Sequence, residues 1–120
     1  MKTPTFKDLV EFVVVNKKDK TFLGYDEPTI IKMLLQGIND GLLLYLVNTE
    51  GKLTGMILAE KDELRKILFV TENLSMSLSN LRTFVKIARD RWSNYTLGWV
   101  KHGNEKFYNQ NTVYNKLLKI

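Results

Sequence analysis

VTENLSMSLSNLRTFVKIARDRW, residues 70–92, decides how this chain is read. It leaves an apolar, β-branched run, crosses a cluster of Ser and Asn, and enters a helical pattern. Leu81, Phe84, Val85, Ala88 and Trp92 stand at i, i+3, i+4, i+7 and i+11, which makes one apolar stripe. Arg82, Lys86 and Arg89 fall on a separate, basic face. The order is strand, turn, helix. The first turn of such a helix has backbone N–H groups without internal partners, and these can receive an anion. The same residues also fit a capped helix with nothing bound.

The segments on either side complete an order of elements. Thr5 and Asp8 have capping-box spacing, and Phe6, Leu9, Val10 and Val13 follow helical spacing, so a first helix is expected near 5–15. Asp26 is a cap for a second helix with Pro28 in its first turn. Its apolar face is expected to be Ile30, Ile31, Leu34, Leu35 and Ile38, and Gly41 its stop. LLLYLVN (42–48) and LTGMILAE (53–60) then predict a hairpin around Gly51. A charged turn, KDELR, leads to a third strand, KILFVTENL. Nearly every position of these runs is apolar, which predicts strands covered on both faces. After the central helix, YTLGWVKHG and EKFYN predict two more strands around a Gly103–Asn104 turn, and TVYNKLLKI a short terminal helix. The expectation is a single α+β domain over residues 1–120, with a mixed, mostly antiparallel sheet of about five strands.

Composition narrows the chemistry. The chain has no cysteine and one histidine, His102, which removes disulfides, thiolate nucleophiles and a conventional zinc site. No apolar run reaches transmembrane length, and MKTPTFKDLVEF has charge where a signal peptide is apolar, so a cytoplasmic protein is expected. Residues 79–120 hold eight basic residues against two acidic ones, a net of +6, while the first 78 residues net −1. A basic C-terminal third suits a phosphate, a nucleic acid or an acidic protein surface, and equally a solvated face. Trp92, Tyr95, Trp99, Phe107 and Tyr108 interleave with Arg89, Arg91, Lys101 and Lys106. That alternation serves single-stranded nucleic acid by stacking and phosphate neutralisation, but aromatics there more often fill a core or interface.

The element order resembles a reduced GNAT-type acetyltransferase domain: two N-terminal helices, an antiparallel meander, a strand into a central helix, then a strand pair. The ending NYTLGWVKHGNEKFYN is also similar to that of small phage-encoded proteins of this fold. The resemblance implies a pantetheine arm of acetyl-CoA along Leu68 to Glu72 and a pyrophosphate over Ser75 to Asn80. The cofactor-binding candidates are then Val70, Thr71, Ser77, Ser79, Asn80 and Arg82. The family motif at this point carries glycines that let backbone approach phosphate, whereas ENLSMSLSN has none. The resemblance makes Glu60 and Glu72 candidate bases, and Tyr108 and Tyr114 candidate acids.

Three functions follow as expectations. The first is a non-catalytic GNAT-like binding or assembly protein, in a phage virion or as a phage accessory protein in the host cytoplasm. Its partners would be phage structural proteins or a second copy, met through Arg82, Lys86, Arg89, Lys101 and Lys106. The second is an acetyl-CoA-dependent N-acetyltransferase. The third is a nucleic-acid-binding module using the basic helix face.

Overall fold

The computed structural model describes residues 3–16, 25–101 and 104–108. Among them are three helices, α1 (Phe6–Asn16), α2 (Glu27–Asp40) and α3 (Leu78–Arg91). The strands are β1 (Leu43–Val47), β2 (Leu53–Asp62), β3 (Ile67–Leu74), β4 (Thr96–Lys101) and β5 (Asn104–Tyr108), in the sheet order β1-β2-β3-β4-β5. The expected terminal helix, with Tyr114, lies outside the described residues, as does the His102–Gly103 turn.

Local chemistry sets the helix ends. The Asp8 carboxylate accepts from Thr5 N–H at 2.8 Å while Thr5 Oγ1 accepts from Asp8 N–H at 3.2 Å, a reciprocal cap on α1. Asp26 Oδ1 accepts from Thr29 N–H at 2.9 Å to start α2. Gly41, at φ 69°, ends it in the left-handed region that glycine enters without steric cost.

The pairing is antiparallel from β1 through β3, parallel between β3 and β4, and antiparallel again between β4 and β5. The fold is therefore α+β with a mixed sheet covered on both faces. On one face Leu9, Val10 and Val13 of α1 and Ile30 and Leu34 of α2 pack against Met56, Leu58 and Leu74. On the other, Phe84, Val85 and Ala88 of α3 pack against Ile57, Ala59, Leu68, Val70 and Leu97.

Two expectations need correcting. Leu35 and Ile38 are exposed on α2, and the buried stripe there is Ile30, Leu34 and Gly37. Gly37 lies so close to Leu58, with Leu43 at 3.4 Å from its added Cβ, that the helix rests on the sheet there. The charged segment KDELR is only partly a turn: Lys61 and Asp62 extend β2, and Glu63 to Lys66 make the connection.

Candidate functional site at the β3–α3 junction

β3 carries an extra residue. Leu58 pairs with Glu72 and Ala59 with Val70, so Thr71 is a bulge, and its Oγ1 donates to the Leu58 carbonyl at 3.2 Å. The parallel ladder to β4 ends nearby, at Val70 opposite Trp99. Beyond it, Glu72 to Leu74 pair with β2, while Val100 and Lys101 pair with β5. β3 and β4 thus part at the bulge, just before β3 runs into α3.

The bulge sorts the side chains of β3. Val70 stays on the α3 face, within the core. Glu72, opposite Leu58, turns to the α2 face. There it lines an open groove with Tyr25, Lys32, Gln36, Glu60 and Thr71. The two glutamates read from the sequence as bases therefore share one groove.

The first turn of α3 is closed by its own side chains. Ser77 is the N-cap, and its Oγ accepts from Asn80 N–H at 3.1 Å. Asn80 Nδ2 donates to the Thr54 carbonyl at 3.0 Å and the Ser75 carbonyl at 2.9 Å. Thr54 can offer its carbonyl because it too is a bulge: Leu46 pairs with Gly55 and Val47 with Leu53, leaving Thr54 out of step. Asn73 Oδ1 accepts from Ser75 N–H at 3.0 Å, and Met76 turns the chain into the helix at φ 69°. Two carbonyls thus hold the Asn80 amide within the protein. Ser79 is exposed, and its carbonyl accepts from Thr83 Oγ1 at 3.1 Å.

On the outer side of α3, Lys86 is exposed, whereas Arg82 and Arg89 are half-buried. Arg82 Nε is buried without a hydrogen-bond partner. The basic face is therefore less open than its spacing predicts. Lys101 ends β4 opposite Asn104, Lys106 pairs with Trp99, and Tyr108 pairs with Leu97, each on the strand pair beyond β3.

A polar cluster that sequence reasoning missed joins the β2–β3 turn to the end of α3. Glu63 accepts from Tyr95 OH at 2.7 Å on both carboxylate oxygens. Lys61 and Lys66 each reach it at 3.2 Å. The Tyr95 hydroxyl, helped by the two ammonium groups, holds the Glu63 carboxyl down at about 2. The charges of KDELR are visible in the sequence, but nothing local signals a tyrosine 32 residues away. Among the described residues no group of three His, Asp or Glu could hold a metal ion, and no helix is long and apolar enough to cross a membrane.

Set against protein-family models, curated proteins and solved structures, the chain matches none.

Proposed function

We propose that this chain is a non-catalytic binding and assembly protein on a GNAT-like framework. The observation that carries this reading is the first turn of α3. In an acetyltransferase of that architecture this turn receives the cofactor pyrophosphate. Here Ser77 caps the Asn80 N–H, and the Asn80 side chain bridges the Ser75 and Thr54 carbonyls. A non-glycine residue, Met76, occupies the left-handed position beside them. One backbone donor of that turn, the Asn80 N–H, is taken by Ser77, and the Asn80 amide gives its donors to backbone carbonyls instead of offering them to a phosphate. The partners expected are proteins, with a phage particle or phage accessory complex as the setting that the resemblance suggests.

One observation favours a second reading, an acetyl-CoA-dependent N-acetyltransferase. The Thr71 bulge coincides with the parting of β3 from β4, and it turns Glu72 into the groove beside Glu60. In that reading Glu72 is the base and Tyr108 the acid.

Acetyl-CoA separates the two. A ligand that binds only the folded state raises the melting temperature with the logarithm of its concentration above Kd, a gain of about 2.7 kcal/mol of stability at a hundredfold excess. The assembly reading expects no shift at millimolar acetyl-CoA. A clear shift that grows with acetyl-CoA concentration overturns it in favour of the enzyme.

A further inference from the structure

In the β2–β3 turn the charges are paired. Arg65 meets Asp62 at 2.7 Å, and Lys61 and Lys66 each meet Glu63 at 3.2 Å. α3 is different. It holds Arg82, Lys86, Arg89 and Arg91 against Asp90, a net of +3, whereas α1 and α2 are each net −1. Among the described residues no ion pair or hydrogen bond engages the side chains of Arg82, Lys86 or Arg91. The helix dipole accounts for Arg91, which sits in the last turn, where a cation is stabilised. It does not account for Arg82 and Lys86, which lie in the middle turns, beyond its reach. Arg82 also has a buried Nε–H without an acceptor. A buried donor without a partner is unfavourable, and a guanidinium turned outward onto an anion relieves it.

The make-up of this face narrows the partner. Ser79, Thr83, Lys86 and Asp90 form the exposed stripe of α3, with Arg82 half-buried beside it. No large apolar side chain is exposed between Ser79 and Arg91. A contact with another protein is built on an apolar, aromatic-rich centre, which this stripe lacks. A single strand of nucleic acid is held by rings on which its bases stack, and the one ring in α3, Phe84, is buried. A duplex backbone needs neither. It is gripped by cations and hydroxyl groups, and it presents a charge about every 1.7 Å of its axis. Arg82 and Lys86, one helical turn apart, stand about 6 Å from each other along α3, so each can meet a phosphate of its own.

We propose that the outer face of α3 docks on the phosphate backbone of a nucleic-acid duplex, with Arg82 and Lys86 as its anchors and the Ser79 hydroxyl as a further donor. The contacts go to the backbone alone, so binding is independent of base sequence. The face runs along the side of the helix and leaves out the turn from Ser75 to Ser77. The inference therefore does not depend on whether acetyl-CoA binds.

The test is fluorescence anisotropy of the full chain with a labelled DNA duplex of about 20 base pairs, from about 50 to about 200 mM salt. Binding is expected at low salt, with log affinity falling against log salt at a slope of about −2 to −3, for two or three phosphates. Lys86→Ala should weaken binding about tenfold at 50 mM salt and reduce the slope by about one. Lys7→Ala removes the same charge from an exposed site on α1 and should change neither. Unlabelled single-stranded DNA and polyglutamate, matched in charge, should compete less well than unlabelled duplex. No complex at low salt overturns the inference. So does an equal loss in the Lys7 and Lys86 variants, because net charge and not α3 then does the binding. Polyglutamate competing as well as duplex assigns the face to an acidic protein, and single strand competing better assigns it to unpaired nucleic acid. Either result overturns the duplex assignment.

Discussion

Replacing Asn80 with alanine tests whether this residue serves the fold or a ligand. Its side-chain amide donates to the Thr54 carbonyl on β2 and the Ser75 carbonyl in the β3–α3 turn, both partly buried. Each bond contributes about 1 kcal/mol net, and its loss leaves a carbonyl short of a partner, so Asn80→Ala should cost about 2 kcal/mol. The Ser77 cap is untouched, since it binds the Asn80 backbone N–H. For a domain of this size the loss corresponds to a fall in Tm of roughly 6–10 °C. Asn80→Asp sharpens the test. A carboxylate in the first helical turn gains about 0.3–1 kcal/mol from the helix dipole. It cannot donate to either carbonyl, however, and faces both with negative charge. The lost bonds outweigh the dipole, so Asp should also destabilise, despite matching Asn in size. Urea unfolding of the ligand-free protein, with the slope checked for constancy, reads both variants. If both stay within about 0.5 kcal/mol of the unaltered protein, the two bonds do not close this junction and the argument for a self-filled cradle falls.

Other perturbations follow from the same packing. Gly98→Ala would place a Cβ 2.8 Å from the Phe69 ring and 3.1 Å from Ile67, all buried, and should cost about 1–3 kcal/mol in urea unfolding. Phe84→Ala, at a side chain only 2% exposed between α3 and the sheet, should cost about 3–5 kcal/mol by the same measurement. Glu63 has its pKa lowered in the fold from 4.5 to about 2, so its contribution to stability is complete above 4.5 and lost as pH falls from there toward 2. Tyr95→Phe should move its NMR-detected titration upward and flatten the pH dependence of stability in that window. Met76→Gly should be neutral or mildly stabilising in thermal unfolding, because relief of the left-handed backbone at φ 69° offsets glycine's entropic cost.

The parts of the fold legible in the sequence are those written within a few residues. Thr5 with Asp8, Asp26 with Thr29, and Gly41 mark helix ends through bonds spanning three or four positions. The α3 stripe was legible because its apolar residues are also its buried ones. α2 misled for a physical reason. Its closest approach to the sheet is at Gly37, so a residue without a side chain occupies the buried face, and the apolar Leu35 and Ile38 face outward. Counting apolar residues cannot detect a face chosen by close backbone approach. In the candidate site, Glu72 and Asn80 could be picked out by type and position. Their roles could not. One depends on a bulge, and the other on two carbonyls, one of them 26 residues away.

The bulge at Thr71 shows how one residue redirects everything after it. In an unbroken antiparallel ladder continuing from Ala59 and Val70, Leu58 would face Thr71 and Ile57 would face Glu72. Glu72 would then sit on Ile57's face, beneath α3, where a carboxylate among Phe84, Val70 and Leu44 has no counter-charge. Asn73 would take the place opposite Met56, in the core beneath α1 and α2. Leu74 would leave that core for the other face. Because Thr71 absorbs the extra step, Leu74 instead pairs with Met56 and is buried with Leu9 and Val10, while Glu72 reaches the groove. The same shift brings β3 to the junction with its last core residue anchored, so the turn from Ser75 to Ser77 starts from a fixed point. Asn80 can then reach back across that turn to Thr54, the other bulge. The two threonines left out of the ladders are thus what bring the β3–α3 junction together.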